Sequence, residues 1–327
     1  MYIRPVKEND LDALLLFLQQ SKTELTSLSR KKNILAEKIE QSITSEKCQI
    51  LSDWQRSLMV LYDPEKDSIA GISGLEREKS CAPHYIIDQK SKCLRFSTSA
   101  VSPLKLGSLL IHENYRNYGF GKLLSKCRFL YLANFSHPIA DHIHAELRGW
   151  VDNNYRSPFW DNISSSFYDG NFSIIDQYRG TYPEIFVESY LAEHEIPFYL
   201  IDNDVKQKIG SVHKDTENAK RMLEKEGFLH TSCIDILDGG PTLKSALKNV
   251  FTIKNSSLFS AIPNREKNKI SEIWMISNIK VSGFRAGLYP AAHRSGHLYV
   301  HPQTLAALEL DPGDLVRAVP RNVAHQR

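Results

Sequence analysis

The spacing of apolar and polar positions changes along this chain, and each change marks an element. Residues Met1 to Val6 alternate in strand fashion. Asn9 or Asp10 can then cap an apolar helix over Leu11 to Leu18 by accepting hydrogen bonds from its free N–H groups. Helix-favouring and charged residues predict a second helix over Arg30 to Ile43. Two strand-like runs, Ser57 to Tyr62 and Ser68 to Leu75, flank Asp63-Pro64-Glu65-Lys66-Asp67, which reads as a hairpin turn. Cys81 to Ser102 shows no clear period. Leu106 to Ile111 reads as a short buried strand, and apolar residues recur at helical spacing over Lys122 to Phe135. A strand is expected over His142 to Val151, and Ser157-Pro158-Phe159-Trp160 opens an aromatic helix. Between Ile174 and Glu195 only turns can be marked. Asn218 to Glu226 predicts a helix stopped by Gly227, with a strand over Phe228 to Leu237. Beyond Asn255 lie strand-like runs at Glu272 to Ile276, Gly296 to Val300 and Asp314 to Val319, with a short helix from Thr304. Turns at Ser282-Gly283 and Asp311-Pro312-Gly313 punctuate them. The expected division is therefore an α/β region over 1–250 and a small β-rich domain over 255–327.

Composition adds mainly exclusions. The 327 residues are 42% apolar and 24% charged, ordinary values that allow two or three structural units with a sizeable core. A net charge of +3 gives no support to a nucleic-acid surface, and Arg30-Lys31-Lys32 reads as a solvated face. The five cysteines are Cys48, Cys81, Cys93, Cys127 and Cys233; without CxxC spacing they suggest neither a disulfide framework nor a zinc site, and no metal is expected. The start, MYIRPVKENDLD, has no secretory apolar stretch, and no run approaches the roughly 18 apolar residues of a membrane-spanning helix. The expectation is a protein of the reducing cytoplasm that binds neither membrane nor nucleic acid.

The candidate chemistry begins in LGSLLIHENYRNYGFGKLLSKCRFLYLA. A strand there enters a turn with the form Arg116-x-x-Gly119-x-Gly121, and a helix opens directly after it. Glycines let the backbone turn tightly and bring N–H groups close to a ligand. The helix start adds free donors and partial positive charge, which together suit a pyrophosphate. Lys122 and Lys126 can add charge one turn apart. GxxxxGK[ST] and GxGxxG are both absent from this turn, so neither the NTPase loop nor the dinucleotide fingerprint is met. A plain strand-to-helix turn would need the same glycines.

The R-x-x-G-x-G form resembles the loop with which the GNAT superfamily of N-acetyltransferases seats coenzyme A. IRPVKENDLDAL looks like that superfamily's first strand and helix, and TENAKRMLEKEGF (Thr216 to Phe228) its late helix and strand. In the latter, Thr216 stands for the usual Asn and Met222-Leu223 for Leu-Tyr. A nearer resemblance is to the bacterial arginine N-succinyltransferases, including the arginine/ornithine succinyltransferase subunits. It is carried by LTSL (Leu25 to Leu28), LLSKCRF (Leu123 to Phe129), AELRGWVDNNYRSPFW (Ala145 to Trp160), IGSVHKDT (Ile209 to Thr216), LEKEGF (Leu223 to Phe228) and DILDGGPTL (Asp235 to Leu243). These blocks cover most of residues 1 to 245, and the likeness is looser past residue 255. The chain departs from the family at Cys81 to Lys105, where RFSTSAVSPLK stands in place of a longer insert with a polar segment. That departure puts the choice of acceptor and acyl group in question.

The resemblance implies a GNAT-like mixed, mostly antiparallel sheet flanked by helices, as two acyltransferase-like lobes or one elaborated lobe, plus the β-rich tail. It implies transfer of succinyl from succinyl-CoA to the α-amino group of L-arginine, giving N2-succinyl-L-arginine and CoA. The family's proton-handling histidine corresponds to His213, and its succinyl-CoA contact to Leu109. With Arg116, Gly119, Gly121 and Lys122 these make up the expected cofactor seat. Histidine titrates near neutrality and can move a proton from the amine or to the thiolate. A backbone N–H at Leu109 could donate to the thioester oxygen. Glu146, Arg148 and Asp152 can bind substrate charges or form a structural ion-pair set. Ser157 to Trp160 reads more readily as helix start and core than as substrate wall, and Asp238-Gly239-Gly240-Pro241 as a functional turn or as backbone geometry alone. Two alternatives stay open: an acyltransferase of this fold using acetyl-CoA or another amine such as ornithine, or a non-catalytic CoA-binding subunit. Assembly as a homo- or hetero-oligomer is compatible with either.

Overall fold

The computed structural model describes the chain except residues 22–24, 26, 49–52, 78–82, 99–102, 153, 155, 182–193, 266–271 and 323–327. Thr26 of LTSL, Cys81 and residues 182–193 of the stretch from Ile174 to Glu195 thus lie outside the described residues, as do 99–102 of the divergent segment. Strand β1 (Tyr2–Pro5) pairs antiparallel with β2 (Arg56–Asp63), and β2 with β3 (Ser68–Arg77) across the expected hairpin. Leu58 and Val60 pack with Leu14, Phe17, Leu35 and Ile39 of helices α1 (Leu11–Gln20) and α2 (Lys32–Lys47). Met59 and Leu61 point the other way, into a cluster with Leu123, Leu124 and Leu130 of helix α3 (Phe120–Leu132). Side chains of a strand alternate between faces, so a strand covered on both sides reads as an almost unbroken apolar run. That is why Leu58 to Leu61 is apolar throughout.

The sheet continues through β6 (Leu104–Ile111), β7 (His142–Glu146), β10 (Pro241–Ala246) and β9 (Leu229–Asp235). It ends on a hairpin of β4 (His84–Asp88) and β5 (Cys93–Ser97), with β8 (Glu195–Pro197) at the edge. This hairpin lies in the stretch whose sequence shows no period. Tyr85, Leu94 and Phe96 are buried there against Phe159 and Trp160 of helix α4 (Pro158–Asn162), but strands this short leave too few alternations to read. Helix α5 (Phe172–Thr181) follows α4.

At the other end, β11 (Ser257–Pro263), β12 (Glu272–Asn278), β13 (Ala286–Arg294), β14 (His297–Val300) and β15 (Leu315–Pro320) pair in the order β12-β15-β11-β14-β13. A further pairing of β12 with β13 closes them into a ring. The ring is filled by Trp274, Ile276, Leu298, Val300, Leu305 and Val316, and it joins the main sheet where Ile3 faces Ala286. Its outer residues Met275, Phe284 and Val319 share the α3 core. All described strands thus form one hydrogen-bonded order, mixed and mostly antiparallel with helices on its faces. Among them β6–β7 and β11–β14 are the parallel neighbours.

Three local expectations change. Asp10 does not cap α1 with its side chain; its carboxylate takes the Lys7 N–H at 2.7 Å and both Arg4 guanidinium nitrogens at 2.6 and 2.8 Å. The strand expected to Val151 ends at Glu146. Lys126 does not serve the loop: its ammonium lies 2.8 Å from the buried Glu226 carboxylate. Glu226 also accepts the Thr252 N–H at 2.8 Å and the Thr252 hydroxyl at 3.0 Å, tying the end of the helix Glu217–Lys225 to α3 and to the helix Phe251–Asn255. Glu226→Ala strands the Thr252 donors and should cost about 2–3 kcal/mol. A urea-unfolding midpoint unchanged from the parent would contradict that.

Candidate active site

The site is set by how β6 and β7 part. They pair in parallel at Leu104↔Ile143, Lys105↔His144 and Leu106↔Ala145, after which β6 runs on to Ile111 while β7 stops at Glu146. A wedge therefore opens beyond Leu106, at the carboxyl ends of two parallel strands, where crevices of open sheets form. On its other edge β6 stays bonded to β3 with a bulge. Ile72 faces Leu110 and Gly74 faces Gly107, so Ser108 and Leu109 together oppose Ser73. Ser108 takes left-handed backbone, φ 57°, and its hydroxyl lies 3.0 Å from that of Ser27. Bulges of this kind bend a strand and re-aim its groups. Leu109 is half-buried on the arm of the wedge and packs on the α3 core.

Past β6 the chain makes a 3-10 turn over Glu113–Tyr115, and Arg116 follows exposed. Asn117 and Gly119 both have positive φ, 69° and 86°. Gly119 is the N-cap of α3 and supplies no side-chain cap, so the first-turn N–H groups of that helix remain available to a ligand. A Cβ on Gly121 would meet nothing within 4 Å, which leaves open space above those donors. Lys122 is exposed beside them. A Cβ on Gly119 would lie 2.7 Å from Nη2 of Arg321, the residue after β15. The ring of C-terminal strands thus delivers a guanidinium to the loop. Nothing in the local pattern around Arg321 signals this, because the contact spans some two hundred residues.

On the β7 arm, Leu147 donates its N–H to Pro241 O at 3.1 Å, and Gly149 bridges to Val212. His213 follows, with its N–H on Arg148 O at 2.9 Å, and is 8% exposed. Its Nδ1 accepts the Asp215 N–H at 3.3 Å, and the Asp215 carboxylate lies 3.7 Å from the same nitrogen. His112 and His301 cap turns in the same way, so this bond alone does not mark a reactive histidine. What distinguishes His213 is its setting. Burial pushes its pKa below the ordinary histidine value; Asp215 opposes the shift, while Lys214 and Arg148 add to it.

Arg148 is central to a buried charge cluster. Its guanidinium reaches Asp176 of α5 at 2.6 Å and Asp238 at 3.2 Å; Arg179 of α5 binds Asp176 at 3.3 Å and also Asp235. Three carboxylates against two guanidiniums leave one negative charge. Burial and the neighbouring Asp235 push the Asp238 carboxyl up to about 6. The sequence does not mark Asp176, Arg179, Asp235 and Asp238 as charge-binding residues, because apart from the i,i+3 pair of Asp176 and Arg179 their partners lie far away in the chain. Glu146 pairs with Lys105 at 2.5 Å, and its charge is also felt at Arg179 of the cluster. Burial disfavours its charge, yet Lys105 and His144 hold it well below the usual carboxylate range. Asp152 accepts the N–H groups of Asn154 and Arg156 at 2.7 and 2.9 Å, and so closes a local turn. Of the three charged residues proposed for substrate, the fold brings only Arg148 into direct contact with the His213 backbone. Ser157 caps α4 through the Trp160 N–H at 3.2 Å, and Phe159 and Trp160 are core.

A family model for the arginine N-succinyltransferase beta subunit matches residues 1–252, and one for that subunit's C-terminal domain matches 266–320. The chain belongs to the arginine N-succinyltransferase beta subunit family. Proteins named arginine N-succinyltransferase from Shigella sonnei and Escherichia coli (strain 55989 / EAEC) are each 30% identical to it, over 98% of this chain and 97% of theirs. Arginine/ornithine succinyltransferase subunit AI from Pseudomonas aeruginosa matches with a TM-score of 0.82 at 22% identity, over 98% of this chain and 99% of that one; the two share a fold. Among the described residues no helix is long and apolar enough to cross a membrane, and no group of three His, Cys, Asp or Glu is placed to hold a metal ion. Cys48, Cys93, Cys127 and Cys233 are free thiols.

In this family member three of the sequence blocks, AELRGW, IGSVH and DGGPTL, meet at one point. A Cβ on Gly240 would sit 2.1 Å from Leu147 O, and one on Gly149 would sit 2.2 Å from Asp238 O. These glycines stack backbone on backbone, and no side chain fits. Gly240→Ala should therefore displace the Leu147–Gly149 arm, giving a melting temperature several degrees lower and loss of turnover; a variant with parental melting and activity would refute the contact. In an NMR titration the His213 ring should change charge below pH 6.5, since burial favours the neutral form. Asp215→Asn removes the nearby negative charge that favours imidazolium, so its midpoint should fall further. A rise would reverse the assigned sign.

Proposed function

We propose that this chain transfers the succinyl group of succinyl-CoA to the α-amino group of L-arginine, releasing CoA and N2-succinyl-L-arginine. The observation that carries the reading is family membership over residues 1–252 together with relatives of that name along almost the whole chain. The wedge between β6 and β7 supports it as the thioester seat, with the pyrophosphate on the α3 N-terminus among Gly119, Gly121, Arg116 and Lys122. No step requires a metal ion.

The α-ammonium group loses one proton before its nitrogen attacks the thioester carbon. Negative charge then develops on the thioester oxygen, and the Leu109 N–H on the wedge arm is the donor we assign to it. As the intermediate collapses, the C–S bond breaks and the nitrogen loses its second proton. One of the two protons ends on sulfur and the other in solvent, which balances the reaction. His213 is the group through which sulfur receives its proton. The Asp215 N–H donated to Nδ1 favours the tautomer with hydrogen on Nε2, the nitrogen left to face the leaving group. The net negative cluster around Arg148 and Asp238 is suited to the substrate's guanidinium, for which a buried carboxylate offers planar, charge-assisted bonds.

A thiol-release assay tests the reading, with succinyl-CoA and acetyl-CoA each offered arginine, ornithine and unrelated amines. Arginine with succinyl-CoA should be the best pair. Turnover confined to acetyl-CoA, or CoA binding with no turnover at all, would overturn the assignment in favour of the other acyl group or a binding subunit. His213→Ala should lower kcat by about 10²- to 10⁴-fold. Full activity in that variant would remove its role.

A further inference from the structure

Arg128 of α3 is 2% exposed, and among the described residues no carboxylate pairs with it. Burying a guanidinium without a counter-ion is costly, and burial pushes its pKa down to about 10. Such a residue persists where its hydrogen bonds hold something in place. Nε donates to Ser125 O at 3.0 Å and Nη2 to the Ser125 hydroxyl at 3.2 Å, so one side of the guanidinium is fixed to its own helix. Nη1 crosses to the sheet and meets both Gly74 O and Gly107 O at 3.3 Å. These two glycines face each other across β3 and β6 as the last pair before the bulge, and the next residue of β6 is the left-handed Ser108. The helix that holds this clamp is the one whose N-terminus carries the cofactor loop.

We propose that Arg128 is a positioning residue for acyl transfer: it pins the β3–β6 bulge to α3 and so holds the Leu109 N–H at the thioester carbonyl. The proposal rests on the reading of the wedge as the thioester seat. Its guanidinium has a second effect from the same place, because an unpaired positive charge in a low-dielectric core favours oxyanion development nearby. LLSKCRF thereby gains a function that its helical periodicity does not reveal, since Arg128 occupies a position where that pattern expects an apolar residue.

Arg128→Met keeps most of the side-chain volume and removes both the charge and the clamp. It should lower kcat by roughly tenfold to a hundredfold, less than the removal of an oxyanion donor outright, while the dissociation constant for CoA stays within about twofold. Arg128→Lys keeps the charge and one donor and should recover part of kcat. The Leu109 amide resonance, assigned through Leu109→Ile, should move in the Met variant and return toward its parental position in the Lys variant. Parental kcat in either folded variant with an unmoved amide would overturn the proposal. So would a parallel loss of kcat and CoA affinity, which indicates general loosening. If Arg128→Met fails to fold, the Lys variant decides by the same two readouts. A parent protein without succinyl transfer defeats the functional reading instead, and the Leu109 amide still tests the clamp.

Discussion

Strand β6 keeps its bonds to β3 while β7 leaves it after Leu106, and the bulge of Ser108 and Leu109 against Ser73 accompanies that parting. A parallel pair that stayed in register would satisfy its backbone groups and leave no opening. By diverging, the two strands leave β6 backbone beyond Leu106 without a β7 partner, which is the opening proposed above for the thioester. The other parts of the site take their positions from this divergence. The β6 arm leads into the loop and α3; the β7 arm leads through Leu147 and Gly149 to His213 and the turn at Gly240.

Close backbone contact holds the second arm. Gly149 and Gly240 approach so nearly that neither tolerates a Cβ, and the segment gains its bonds from Pro241, from an isolated bridge to Val212 and from the His213 N–H rather than from a regular ladder. The charge cluster then fastens α5 to this arm through Arg148, Arg179 and three carboxylates. Removing one partner would leave a buried charge uncompensated, so the cluster constrains α5 strongly, and what His213 feels from it is the Arg148 charge, which favours the neutral ring.

The C-terminal strands add a further constraint. Their ring closes on itself through β12 and β13, and its outer residues share a core with α3. Arg317 bonds Asn134 at one end of that helix while Arg321 reaches Gly119 at the other. A segment that shows no chemistry in its own sequence is thereby placed against the loop of Arg116 to Gly121.

Local order was legible in the sequence wherever it depends on neighbours. The strand, glycine turn and helix around Arg116 to Gly121 follow from apolar spacing and from two glycines, of which Gly119 takes the positive φ that glycine tolerates best. The β2–β3 hairpin and the helix stopped by Gly227 are of the same kind. The family blocks also showed which residues belong together, though not how they meet. Only the tertiary structure decided that Glu146 pairs with Lys105, that Asp152 closes its own turn, that Lys126 is committed to Glu226, and that Arg321 stands at the loop. The same holds for β4 and β5, whose short strands are stabilised by Phe159 and Trp160 rather than by any pattern of their own. Periodicity reports which face of an element is buried. It carries no information on the distant charge or carbonyl that meets that face, because those partners are fixed by the path of the whole chain.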